Sequence, residues 1–394
     1  MKQIEECAMK SGSRWNRREF VKMAASSSLG AMTLGLPQLA RATDKASPRF
    51  AYVGFGGKEA SREGIAVFDV RGAAWRQTST VTSQTPSSLA LAANERFLYA
   101  VNEIDEHQGL PSGTVEAYAI DALDGSLRLL SRQRLSLSAT APRHAAVSPD
   151  GRSLVVAVYG GGAYNVLPIR DDGSLGEVAG ILKETGSGPH ERQRSAHPQM
   201  VVFDRAARIV TADLGNDHLN VLKLDTTQLS VAGRYPTQAG DGPHQIAFHP
   251  NGRLLFVANG LDASVACYGY DAVEGRILGK LDQVATGRSR SPGEVVMAMD
   301  PTGKFLYTTH RSLGEGVSIW RIGQGTDLLR RLQVVDEGMP VLHEITMMAD
   351  GKSLLGLSRE QGGVFGWPVA NGQMSRGILL ARLAAPMSVA VKSL

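Results

Sequence analysis

The feature that most constrains this chain is a block that recurs along its length, with a last copy divided between the two ends. Complete copies run Pro86–Asn102, Pro142–Tyr159, Pro198–Asp213, Pro243–Asn259, Val295–His310 and Leu342–Ser358. Each reads as a short apolar strand, a turn of the Pro-Asp-Gly type and a second apolar strand, followed by a loop and a strand with period-two alternation. The starts lie about 45 to 56 residues apart, a spacing typical of four-stranded propeller blades. At the C-terminus, Pro386–Val391 repeats only the opening strand, while Arg49–Gly54 and Gly64–Asp69 supply the strands that would follow it. A linear array ends in whole, capped repeats, whereas a closed ring uses both termini to remove an open sheet edge. The pattern therefore predicts an all-β, seven-bladed β-propeller closed by strands from both termini, formed by residues 43–394 as one domain. Long runs with helical apolar spacing are absent from this body.

Net charge separates the body from its leader. Of 42 Lys/Arg and 38 Asp/Glu, residues 1–42 hold seven and three, so the rest of the chain carries 35 of each sign. A neutral body has no electrostatic footprint for nucleic acid or an anionic membrane surface. The leader carries Arg17-Arg18 followed by Phe20 and Lys22, a weakly apolar run from Met23 to Leu36, and Ala40-Arg41-Ala42. This order resembles a twin-arginine signal with a small-residue cleavage site. The apolar run has 14 residues and contains Ser26, Ser27 and Ser28, too short and too polar for a membrane anchor. The expectation is export of a folded protein through the twin-arginine translocase to the periplasm or beyond, with the mature chain starting near Thr43. Cys7 would leave with the leader, and Cys267 alone cannot form an intramolecular disulfide.

In a propeller the innermost strand of each blade lines a central channel, so equivalent positions at its start form rings. Aligning the copies puts Ser87, Arg143, Gln199, His244, Val295, His343 and Met387 in a first slot, and Ser88, His144, Met200, Gln245, Val296, Glu344 and Ser388 in a second. Three of the chain's nine histidines, an arginine and a glutamate converge there. Such convergence in a concave site marks a candidate for chemistry. Asp213 and Asp217 around Gly215 read as turn formers. The run Tyr159-Gly160-Gly161-Gly162 either admits a substrate to the backbone or supplies a tight loop; it does not open a helix, so it is not a phosphate loop. Asn102, Glu103, Asp213 and Asn259 lack the carboxylate density calcium usually takes, and neither a Cys pair nor a His-Glu-x-x-His pattern offers a zinc site, so no metal is expected.

Several segments resemble the seven-bladed propeller lactonases of the 6-phosphogluconolactonase type. They are Leu98–Glu103, Tyr159–Gly162, Arg192-Gln193 with His197, Asp213–Asp217, Gly242–Pro250 and Asp300–Tyr307. The resemblance implies hydrolysis of a small-molecule sugar lactone without metal or organic cofactor, and it extends to relatives that close muconate-type diacids into lactones. The chain departs from the family pattern at Gly242-Pro243-His244-Gln245, where Gly-Pro-Arg-His is usual. It departs again at His197-Pro198-Gln199, and at Thr309-His310-Arg311-Ser312, where the arginine is kept. Loss of one cation, together with the export signal, points to an unphosphorylated aldonolactone.

Lactone hydrolysis needs a base to activate water and donors for the carbonyl oxygen as it becomes negative. The candidates are His144, His197 or His244 as base, Glu344 as its orienter or as an alternative base, and Arg192 with Arg143 as clamps. Glu103, Gln193, Gln199, Gln245, Arg311 and His343 complete the expected substrate-binding set. The same mouth suits a non-catalytic ligand- or protein-binding propeller, or a lactonising isomerase.

Overall fold

A computed structural model describes residues 49–57, 62–287, 294–310, 316–325 and 327–392. The leader at 1–42, with its twin-arginine pattern, and Arg311 lie outside these residues. The closing blade contains β1 (Phe50–Phe55), β2 (Gly64–Asp69) and β3 (Arg76–Val81). The next blades are β4 (Pro86–Leu91), β5 (Phe97–Asn102), β6 (Thr114–Ile120), β7 (Leu127–Arg134), then β8 (Pro142–Val147), β9 (Ser153–Val158), β10 (Ala163–Pro168), β11 (Gly180–Lys183). They are followed by β12 (Pro198–Phe203), β13 (Ile209–Asp213), β14 (His218–Asp225), β15 (Gln228–Pro236), and by β16 (Pro243–Phe248), β17 (Leu254–Asn259), β18 (Ser264–Asp271), β19 (Arg276–Ala285). The last two hold β20 (Val295–Met299), β21 (Phe305–His310), β22 (Val317–Ile322), β23 (Leu329–Val335), and β24 (Glu344–Met347), β25 (Ser353–Ser358), β26 (Gly363–Ala370), β27 (Gln373–Met374), β28 (Ile378–Arg382). β29 (Pro386–Lys392) returns to the closing blade as its innermost strand, in the order β29-β1-β2-β3.

The ring is therefore sealed as the divided repeat predicts. β29 pairs antiparallel with β1 from Phe50↔Lys392 to Phe55↔Pro386. Inner strands touch in the cycle β29, β4, β8, β12, β16, β20, β24 and back to β29. Every sheet is an antiparallel meander, and no helix forms among the described residues.

The repeat's turn explains why first and second strands fold back on each other. Gly151, Gly252, Gly303 and Gly351 all have φ between 68° and 74°, a left-handed geometry that glycine adopts without a Cβ penalty. Glu95 and Ala207 take that place in two other blades, at φ 51° and 61°. In each case the residue's N–H, or its equivalent, closes the turn, as with Gly151 to Ser148 O at 2.8 Å and Gly303 to Asp300 O at 2.9 Å. The flanking Asp or Asn caps the turn, as Asp150 Oδ1 does for Arg152 N at 3.1 Å.

Second strands are almost wholly buried because neighbouring blades cover both faces. All six residues of β9, Ser-Leu-Val-Val-Ala-Val, are buried. Tyr99, Val101, Val115 and Ala117 of one blade pack on Ala145, Leu154, Val156 and Val158 of the next. Outer strands such as β15 face water along most of their length. Cys267 is buried, and burial pushes its thiol far above the usual range.

Deleting residues 386–394 should abolish cooperative folding, since it bares the edge of β1 and opens the ring. Thermal denaturation and size-exclusion chromatography check this; a monomer melting at the wild-type temperature would contradict it.

Candidate functional site

One end of the ring, where inner strands begin and second strands finish, carries the sequence's candidate residues. Their presentation depends on a register shift that recurs at this end. Pairing jumps between Pro86 and Ser88, Pro142 and His144, Pro198 and Met200, and Pro243 and Gln245, and again beside Pro386 and Ser388. The skipped residues are Ser87, Arg143, Gln199, His244 and Met387, the first slot of the repeat. A β-bulge leaves its extra residue outside the ladder and re-aims its side chain, and here it does so at the same place in five blades. The sixth blade has no such shift. Val295 pairs with His310, so it occupies the position of the repeat's proline and not the first slot, a correction to the aligned register. The residue just before it, Glu294, supplies the functional group there.

A continuous cluster results. Arg143 Nη1 lies 2.9 Å from Glu103 Oε1, and its guanidinium stands over the Tyr159 ring, 4.9 Å from the centroid. Tyr159 stacks on His197 at 4.2 Å with 14° between planes. Arg192 Nη2 donates to Glu294 Oε1 at 2.9 Å, and His244 Nε2 lies 3.9 Å from Glu294 Oε2. Desolvation works against the Arg192 guanidinium, but the Glu294 carboxylate and the Tyr159 hydroxyl beside it outweigh that and leave its pKa raised. Arg143 and Arg192 are 33% and 37% exposed, so both remain within reach of a solute.

The long connection between β11 and β12 holds two of these groups by local chemistry. Gln193 is fully buried; its side chain donates to Leu214 O at 2.8 Å and accepts from His190 N at 3.0 Å. It thus fastens the turn that displays Arg192 instead of facing the mouth. His197 N donates to Asp213 Oδ1 at 2.7 Å, and Gly215 N donates to the same oxygen at 2.9 Å. Burial pushes the Asp213 carboxyl up to about 7 despite those donors. Asp217 accepts from Gly240 N and Gly242 N at 2.7 and 2.8 Å, which holds the loop leading to His244. Both aspartates act as loop organisers, and so does Asn102, which donates to Gln84 O at 2.7 Å.

The second slot lines the channel and is largely occupied in joining blades. Gln245 donates to Met297 O at 3.1 Å and accepts from Met297 N at 2.8 Å, which stitches β16 to β20. Ser388 Oγ donates to Pro86 O at 2.7 Å across the closing blade. His144 is half-buried, with its Nδ1 out of reach of water, and desolvation pushes its imidazole down to about 4. Glu344 opens β24 opposite Leu357, and His343 Nε2 lies 3.2 Å from Glu360 Oε1. Gln199 is buried beside the mouth. A carboxylate beside His244 is that of Glu294. Repeat alignment passes over Glu294 because β20 lacks the bulge. Among the described residues, no three His, Cys, Asp or Glu side chains converge as metal ligands would, and no helix is long and apolar enough to cross a membrane.

The family model for "Lactonase, 7-bladed beta-propeller" matches residues 50–359. The chain is 28% identical over 245 residues to a 6-phosphogluconolactonase of Bacillus subtilis, covering 61% of this chain and 67% of that one. It is 32% identical over 242 residues to a 6-phosphogluconolactonase of Pectobacterium carotovorum, covering 60% and 66%. Across the curated relatives it matches first, the chain spans between 48% and 67% of their length. A crystal structure described as the Pseudomonas aeruginosa periplasmic gluconolactonase superposes with a TM-score of 0.78 at 24% identity, covering 88% of this chain and 99% of that one, which speaks to the fold.

The desolvation of His144 has a measurable sign. The folded imidazole takes its proton only near pH 4, whereas the unfolded one takes it from about 6.5, so between these values the unfolded chain binds more protons and acidification destabilises the fold. His144→Gln removes that contribution, and its melting temperature should fall less than the wild type's between about pH 7 and pH 4.5. Parallel curves would contradict it.

Proposed function

The chain belongs to the seven-bladed β-propeller lactonase family, a family of lactone-hydrolysing enzymes, and on that premise we propose that it opens an uncharged sugar lactone. The observation that carries the substrate class is the pairing of the two arginines described at the mouth. Arg143 is matched by Glu103, and Arg192 by Glu294, so a phosphate dianion entering the cluster would meet two carboxylates along with two guanidiniums. Like-charge juxtaposition of this kind disfavours an anionic ligand. His244, where the family usually has arginine, lowers the positive charge further.

Within this reading His197 is the general base. Its Nδ1 lies 3.0 Å from Tyr159 O, and a carbonyl oxygen only accepts, so Nδ1 carries the hydrogen and Nε2 presents a lone pair. Desolvation pushes the His144 imidazole down to about 4, and His244 Nε2 is turned toward the Glu294 carboxylate at 3.9 Å, so each is less suited to the role. Water attacks the lactone carbonyl carbon as His197 Nε2 takes its proton. Arg192 and Arg143 stabilise the negative charge on the carbonyl oxygen. The ester C–O bond then breaks, and the departing ring oxygen takes the proton back from His197, leaving a hydroxy acid. The carboxylate product arises between Glu103 and Glu294, which favours its release.

Periplasmic action is part of the proposal. It is supported by the leader's resemblance to a twin-arginine signal and by the likeness to a structure described as a periplasmic gluconolactonase.

His197→Gln should lower kcat by at least about a hundredfold at an unchanged melting temperature, the usual weight of a general base. Unchanged turnover would remove His197 from the role. In a separate experiment, Glu103→Gln with Glu294→Gln should tighten inhibition by 6-phosphogluconate about tenfold. An unaltered inhibition constant would refute the charge argument.

A further inference from the structure

We propose that Tyr159 is a positioning residue, its side chain holding the imidazole of His197 in the tautomer and orientation a base requires while fixing both arginines around it. The inference rests on the reading of His197 as base. Three contacts meet on this one residue. Its ring stacks on His197 at 4.2 Å, nearly parallel, and the Arg143 guanidinium lies over the same ring at 4.9 Å. Its hydroxyl stands beside the Arg192 guanidinium. Its carbonyl accepts from His197 Nδ1 at 3.0 Å and also from Gly162 N at 3.3 Å.

The glycine run that follows holds that carbonyl in place. Gly160 N donates to Thr140 O at 3.0 Å, and Tyr159 N donates to Ala141 O at 3.3 Å. A Cβ on Gly160 would collide with Thr140, and one on Gly161 with Ser138 O, so only glycine lets this turn lie on the 138–141 connection. The run is thus a packing device that aims Tyr159, the tight-loop alternative of the sequence. A stacked ring limits rotation of the imidazole about its own bonds, and the carbonyl alone, with its broad acceptor directions, does not. One side chain therefore sets the spacing between the base and the two cations.

The test is 15N NMR of the full chain labelled at histidine, with His197→Gln assigning the signal, together with lactone kinetics. In the wild type, His197 should show a protonated Nδ1 and an unprotonated Nε2. Tyr159→Phe should keep that tautomer and lower kcat, through Arg192, by less than the leucine variant does. Tyr159→Leu should mix the two tautomers and lower kcat by about tenfold or more. Tyr159→Met, flexible and apolar, serves the same purpose if the leucine variant fails to fold. Retention of the Nδ1–H tautomer and of wild-type kcat in the leucine or methionine variant would overturn the proposal. If the wild type hydrolyses no lactone, the reading of His197 as base fails, while the tautomer measurement still decides whether the ring holds the imidazole.

Discussion

Ring closure is the constraint on which everything else depends. Seven twisted sheets can share a channel only if the first meets the last, and the ladder between β1 and β29 accomplishes this with strands from opposite ends of the chain. Once it forms, each inner strand is flanked by two others and each second strand is buried on both faces. The first residues of seven strands are then brought to one mouth, although they are spread from Pro86 to Ser388 in sequence. Conformational order at the site is a by-product of closure, since no single blade contains more than a fraction of it.

At that mouth the bulge converts a structural repeat into a variable one. The proline before it and the residue after it stay in the ladder, which preserves the blade. The residue between them is released from pairing and is free to differ: Ser87, Arg143, Gln199, His244 and Met387 share a backbone geometry and no chemistry. Carboxylates from neighbouring loops, Glu103 and Glu294, then neutralise the arginines. Among the described residues the outcome is a polar cluster of paired charges, suited to a neutral ester that becomes an anion.

Much of the fold was legible because it follows from periodicity. The turn glycines, the apolar second strands and the divided seventh copy each announce themselves locally, and they agree with one another. The second slot was also read in register, from Ser88 to Ser388. What the sequence concealed was register within a blade: Val295 falls one position from its expected slot because β20 omits the bulge, and bulges leave no residue signature beyond the preceding proline. Glu294 was missed because it lies just outside the aligned strands, and Tyr159 was singled out only as the start of a glycine run. Gln193 and Gln245 look like substrate ligands in a string of letters, and only three-dimensional pairing reveals that their amides are occupied by Leu214 and Met297.

The central claim is that this mouth hydrolyses an uncharged lactone. The most direct measurement is proton release by the wild-type protein at constant pH, with δ-gluconolactone and its 6-phosphate compared against spontaneous opening. The account predicts acceleration of the uncharged lactone with a kcat/KM at least about tenfold above that for the phosphate, a margin within reach of one favourable or unfavourable charge contact. Preference for the phosphorylated lactone, or acceleration of neither, would contradict it.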